Sequence, residues 1–170
     1  MSVIDEYISV TMTRDHLEDI PQFHLPPDFA IRWYQDGDEE LWLQIERASE
    51  DHIEITHELF MEWHGDHLSM LKDRMFFLLD PERKAIGTAT AWFLDEYNGK
   101  PYGRVGWVAI IPDMQGKGLS RPMMTVLCNR LKDLGHERAY LTTNTARFPA
   151  IRLYWRFGFR PELNKPDDRE

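Results

Sequence analysis

A single cysteine, Cys128, excludes an internal disulfide in this chain of 170 residues. Long apolar runs are lacking too. None approaches the ~20 residues that a membrane-crossing helix needs, so no membrane association is expected. The first residues, MSVIDEYISVTMTRD, carry acids early and no apolar stretch of signal length, which argues against a secretory leader and for a cytoplasmic protein. Positive charge is in the minority, with 20 Lys and Arg against 29 Asp and Glu and a net charge of −9. Nucleic acid is therefore excluded as a partner, because such binding rests on basic patches. Internal repeats, low-complexity tracts and Gly/Ser linkers are also missing, and the length fits one domain.

What is present is core material and acid. Hydrophobic residues make up 42% and aromatics 12%. Acids gather between Asp36 and Glu62, where Arg47 is the only Lys or Arg. That run reads either as solvated helix faces or as a negative approach to a site for a cationic amine.

Periodicity orders the chain. FAIRWY (29–34) alternates as a strand, and DGDEELWLQIERAS (36–49) has helical spacing after a capping Asp or Gly. A second helix is predicted over Thr56 to Lys72. MFFLLD and KAIGTATAWFLD form a hairpin about DPERK, and Asn98-Gly99 turns the chain into a further strand, RVGWVAII. A helix then runs to about Leu134 and ends at Gly135, followed by the strand RAYLTTN. The helix PAIRLYWRF is closed by Gly158, and FRPEL makes a last short strand. The order implies a mixed α/β (α+β) domain with one central sheet. Residues 1–25 stay unassigned, 26–163 form the domain, and 164–170 should fray.

Chemistry concentrates in PDMQGKGLSRPMM, from Pro112 to Met124, between an apolar strand and a helix. A helix start offers unpaired N–H groups and positive potential, and glycines let backbone approach an anion closely. Ser120 is the expected N-cap and Pro122 suits the first turn. A phosphate or pyrophosphate fits there, and a plain capped loop is the alternative. The spacing fails as a Walker A loop, since Ile111 and Gly118 stand where Gly and Ser/Thr are required. It fails as a dinucleotide fingerprint because Arg121 replaces the third glycine.

Gln115-Gly116-Lys117-Gly118-Leu119-Ser120 resembles the acetyl-CoA signature of the GNAT N-acetyltransferases, Gln/Arg-x-x-Gly-x-Gly/Ala. The likeness extends upstream to VAIIP (108–112) and downstream to AIRLY (150–154) and Gly158-Phe159. Ser120 departs from the usual small residue, and Arg147 stands where many members carry Asn. The resemblance implies one domain with a mostly antiparallel, partly splayed sheet flanked by helices, acetyl-CoA as cosubstrate, and direct transfer to a small-molecule or peptide amine. A homodimer stays open. It further implies that Val108, Ala109 and Ile110 hold the pantetheine arm. Gln115, Gly116, Lys117, Gly118, Leu119 and Ser120 would hold the pyrophosphate, and Tyr154 would assist the departing thiolate. Arg147 would either meet a CoA phosphate or cover its helix.

The resemblance leaves the general base open. The strand GRVGWVAI carries no carboxylate, so Glu50, Asp51, His52, Glu54 and Asp95 are all candidates. That missing carboxylate also keeps alive a second reading, a CoA-binding sensor or partner module without turnover. Cys128 falls on an apolar helical stripe with Met124, Leu127 and Leu131 and reads as core. No metal is expected, because His57-Glu58 lacks the second histidine of a zincin and His64 with His67 is too small a set.

Overall fold

The computed structural model of the chain describes residues 8–163. The expected fraying of 164–170 lies outside the described residues. Seven strands form one sheet: β1 (Ser9–Arg14), β2 (Ala30–Trp33), β3 (Met75–Leu79), β4 (Ala85–Tyr97), β5 (Lys100–Ile110), β6 (Ala139–Asn144) and β7 (Arg160–Pro161). Their spatial order is β2-β3-β4-β5-β6-β1-β7. Among the described residues β5 and β6 are the only parallel neighbours, and every other pairing is antiparallel. Helices α1 (Glu39–Ser49), α2 (His57–His64), α3 (Leu71–Arg74), α4 (Ser120–Asp133) and α5 (Phe148–Arg156) flank it. No helix among the described residues is long and apolar enough to cross a membrane.

Strand β3 shows how the sheet separates two cores. All five of its residues are buried, and because side chains alternate, Met75, Phe77 and Leu79 join Trp42, Phe60 and Leu71 on the face covered by α1 and α2. Phe76 and Leu78 point the other way, toward Met123, Leu127 and Leu131 of α4. Cys128 lies in that second core with no exposed surface, and burial pushes its thiol up to about 12. It is a packing residue.

Three expectations need correction. The helix predicted over 56–72 begins as expected, with Thr56 accepting from the Leu59 N–H at 3.1 Å, but α2 ends at His64. A 3₁₀ turn covers Gly65–Met70, in which His67 leaves helical geometry at φ −138°, ψ 32°. Gly65, Asp66 and Ser69 are poor interior helix formers, and the chain tightens there. The last strand shrinks to two residues, since Pro161 has no N–H to donate. The stretch left unassigned supplies β1, paired on both edges, with β6 and with β7.

Arg14, at the end of β1, fastens α5. It is 7% exposed, and its guanidinium donates to the carbonyls of His16, Glu18 and Phe157. Gly158 takes φ +83°, and a Cβ there would meet the Arg14 guanidinium at 2.6 Å, so the turn that ends α5 accepts no side chain.

His64 makes the α1/α2 core sensitive to acid. It is 1% exposed, its ring lies 4.8 Å from that of Phe60 and 5.1 Å from that of Trp92, and Nδ1 is 3.1 Å from the Phe60 carbonyl oxygen. Burial pushes its pKa down from 6.5 to about 4. The unfolded chain binds this proton near pH 6.5 while the native one resists until about pH 4. Stability is therefore full above pH 6.5 and falls as pH drops through that window. At ~1.4 kcal/mol per unit the loss reaches about 3 kcal/mol by pH 4. Urea melts between pH 7 and pH 4 should show this slope and His64→Leu should flatten it. Equal slopes in the two proteins would clear His64 of the effect.

Candidate active site

The site begins with an irregularity in β5. Thr88 of β4 faces Ala109 and Thr90 faces Gly106, so Trp107 and Val108 together oppose the single residue Ala89. This is a β-bulge. Trp107 takes φ +49°, a left-handed conformation that costs a bulky residue about 1–2 kcal/mol. Edge-on contacts with Trp42 at 5.3 Å and Trp63 at 5.4 Å hold it there. On its other edge β5 meets β6 only at Gly103–Ala139 and Arg104–Tyr140. Beyond Arg104 the two strands part, and among the described residues that edge of β5 from Val105 to Ile110 has no neighbouring strand. The sheet is splayed as expected.

A cleft of about 630 Å³ occupies one side of the wedge. Val108, Ala109 and Ile110 line it from β5, and Gln115, Gly116, Gly118, Leu119 and Ser120 from the loop. Gly116 and Gly118 take φ +74° and +76°, and a Cβ on either would enter open space. The Gln115 side-chain amide donates to the Ile110 carbonyl at 2.8 Å, and the Ser49 hydroxyl donates to the same oxygen at 3.1 Å. Gln115 therefore braces the loop against β5. Ser120 is not the N-cap: Leu119 holds that position and Ser120 opens the helix, with no side-chain capping bond. Two left-handed glycines bring the chain in already wound, so the helical geometry starts one residue early. Lys117 is exposed, its Nζ 3.8 Å from the Met114 sulfur, and does not line the cleft.

A second cavity of about 310 Å³ lies on the other side, between β5, β6 and α2. Glu46, Glu50, Val108, Arg147 and Tyr154 line both. The two spaces therefore share one wall.

That wall carries the titratable groups. Tyr154 hangs from α5, its hydroxyl bonded to no described residue, and burial pushes the phenol up to about 12 against the opposing charge of Arg147. Glu46, on α1, is 3% exposed, and its Oε1 has no hydrogen-bond partner among the described residues. Burial, helped by the charge of Glu50, holds its carboxyl well above the ordinary carboxylate range. Glu50 behaves oppositely. Burial would raise it, but the His52 N–H at 2.8 Å and an ion pair with Arg147 outweigh that and keep it below its usual value.

Of the base candidates read from the sequence, Glu50 reaches the shared wall, committed to Arg147. Asp51 and His52 line only the larger cleft, and Glu54 and Asp95 line neither space. Glu46, which does reach the shared wall, reads in the sequence only as part of the acidic run. A signal existed: Glu46 lies four residues after Trp42 and three after Leu43, on the buried stripe of α1, where a carboxyl is costly without a function. Among the described residues no three of His, Cys, Asp and Glu lie close enough to hold a metal ion.

Comparison with known proteins agrees with this geometry. The family model described as acetyltransferase (GNAT) family matches residues 13–159. A mycothiol acetyltransferase from Arthrobacter sp. (strain FB24) is 28% identical over 149 residues, covering 83% of this chain and 45% of that protein. The chain spans about half the length of the curated relatives it matches. Among solved structures, a GCN5-related N-acetyltransferase from Sphaerobacter thermophilus has a TM-score of 0.74 at 18% identity, covering 91% of this chain and 48% of that one. A mutant spermidine N-acetyltransferase from Vibrio cholerae has a TM-score of 0.59 at 19% identity, covering 81% and 82%. At those identities the structures speak for the fold, while the family match spans most of the chain: it belongs to the acetyltransferase (GNAT) family.

Proposed function

We propose that this chain transfers an acetyl group from acetyl-CoA directly to an amine that reaches it as an ammonium cation. The observation that carries the reading is the wall shared by two cavities, which lets two substrates meet at Glu46, Val108 and Tyr154. Acetyl-CoA takes the larger cleft. Its pyrophosphate lies over the loop amides from Gly116 to Ser120, with Lys117 at the rim, and its pantetheine arm follows the unpaired edge of β5 from Val108 to Ile110. The amine takes the smaller cavity. The loop glycines, free of any Cβ contact, fit such an anion, and the volumes suit small-molecule substrates.

In water, freeing the lone pair of an amine with pKa ~10.4 at pH 7 costs about 4.6 kcal/mol. Glu46, unpartnered and raised in pKa, takes that proton across a smaller gap than an ordinary carboxylate would. The nitrogen then attacks the thioester carbon, the C–N bond forms and the C–S bond breaks. The second nitrogen proton passes through solvent to the departing sulfur, to which the Tyr154 hydroxyl donates a hydrogen bond, and the proton taken by Glu46 is the one released. One ammonium and one thioester become one amide, one thiol and one released proton. Arg147, engaged by Glu50, holds the start of α5 against the end of α1 and keeps Tyr154 facing the wall. Glu46 in the acceptor's path favours an enzyme over a CoA-binding module without turnover.

The test follows thiol release from acetyl-CoA with a panel of amines, in the native protein and in Glu46→Gln. The variant should lose about 100-fold or more in kcat/KM at pH 7. It should also lose the limb of the pH profile that reports Glu46 ionising above the usual carboxylate range. Because the folded pKa is raised, Glu46 contributes stability only below its unfolded value, and this is lost as pH rises through the folded one. Glu46→Gln should therefore melt no lower than the native protein at pH 8. A variant with native turnover would dismiss Glu46, and a native protein that binds acetyl-CoA but acetylates nothing in the panel would favour the module.

A further inference from the structure

The smaller cavity holds one charged group that the transfer chemistry does not use. Arg104 lies on β5 where the strand last meets β6. Its guanidinium stacks 3.9 Å from the Trp63 ring centroid and 5.4 Å from that of Tyr140, and it lines the cavity. The chain's other arginines that are not exposed, Arg14, Arg32, Arg74, Arg130, Arg138 and Arg147, each donate to a carboxylate or a carbonyl oxygen. Among the described arginines that are not exposed, Arg104 alone has no carboxylate within ion-pair distance and no hydrogen bond from its guanidinium.

A half-buried guanidinium with no acceptor for its five donors is costly to keep. Burial lowers its pKa, yet an arginine stays protonated throughout the physiological range. The Trp63 and Tyr140 rings pack against the guanidinium and leave its edge unsatisfied. That edge is the part of arginine that matches a carboxylate or phosphate with two parallel bonds. The facing strand adds one uncommitted polar group, the Thr143 hydroxyl, which is buried without a partner among the described residues. The reacting end of the same cavity has the opposite character, with Glu46 and Tyr154 as its walls. Arg104 and Val108 are four residues apart on β5, at most ~13 Å along the strand, a span that a small molecule bridges.

We infer that the acceptor carries an oxyanion as well as its amine, and that Arg104 binds that oxyanion while the amine lies at Glu46 and Tyr154. The substrate class is then a carboxylate-bearing or phosphate-bearing amine rather than a simple polycation, and Arg104 determines specificity. This rests on the acetyltransferase reading above.

The experiment compares twins: amino acids and short peptides against their carboxamides, and amino alcohols against their phosphate esters. Thiol release from acetyl-CoA is followed for each pair. The native protein should favour the oxyanion-bearing twin by about 10-fold or more in kcat/KM, as one charge-assisted pair provides. The pair with the larger ratio tells carboxylate from phosphate. In Arg104→Gln the ratio should fall to about 1, and in Arg104→Lys, which keeps the charge and loses the fork, it should fall only part of the way. Equal rates for both twins in the native protein would overturn the inference, as would an Arg104→Gln variant that is slower with its ratio intact. Failure of every amine in both classes would instead remove the acetyltransferase reading, and this inference with it.

Discussion

Tyr154→Phe should lower kcat by about 10- to 1000-fold while acetyl-CoA affinity stays within about threefold. The argument turns on which state the hydroxyl serves. In the resting site it bonds to no described residue, so its removal takes nothing from the fold, and the ring keeps its contact with Phe159 at 6.4 Å. With the phenol near 12, passing its proton fully to a thiolate of pKa ~8.5 is uphill by about 5 kcal/mol. Tyr154 therefore works as a neutral donor whose bond strengthens as charge gathers on sulfur, and an interaction made chiefly in the transition state appears in kcat and not in binding. Steady-state rates paired with calorimetry make the check. Full activity in the variant would return Tyr154 to a packing role, and a matching loss in acetyl-CoA affinity would make it a binding residue.

Gly118→Val should abolish measurable acetyl-CoA binding, a weakening of about 100-fold or more, with the fold retained. Gly118 takes φ +76°, and an added Cβ would touch nothing in the protein. The space it would fill is the approach to the loop amides. A backbone forced out of the left-handed region would turn those amides elsewhere, at a strain of about 1–2 kcal/mol. Strain alone is separable from site loss, because Gly135 also has a positive φ, +89°, with open space around it, at the far end of α4. Gly135→Val should cost similar stability and leave acetyl-CoA binding unchanged. Unaltered affinity in Gly118→Val would remove the loop from the cofactor site.

What could be read from the residues was what local chemistry decides. Asn98 and Gly99 both take positive φ, 51° and 76°, as a two-residue hairpin turn demands, and the pair alone announces it. The glycines at 116 and 118 likewise declare a left-handed backbone that most side chains disfavour. Features decided by distant partners were not legible. SVTMTR is an ordinary polar-apolar alternation until β6 and β7 close on both its edges. Nothing in VGWVAII marks Trp107 as the extra residue of a bulge, since the rings that hold it come from Trp42 and Trp63. Glu46 and Glu50 look alike in the sequence and differ in the fold because Glu46 is buried without a partner for its Oε1 among the described residues, while the His52 N–H and Arg147 reach Glu50. The candidate site was thus legible where the backbone makes it and hidden where side chains from separate elements do.

The position of β1 bears on how the protein is made. Strands β2 to β5 each pair with the next one in the chain, so that part of the sheet can assemble as it leaves the ribosome. β1 precedes these strands but pairs Ser9 with Asn144 and Arg14 with Ala139, and so waits until the chain has been made through β6. Closing so long a loop is slow, and both of its eventual partners are unprotected edges in the meantime. The Arg14 clamp on α5 forms only once β1 has paired, so the nascent chain holds most of this sheet before Tyr154 has a fixed place in it, and its hazard of mispairing is concentrated in the interval before that pairing.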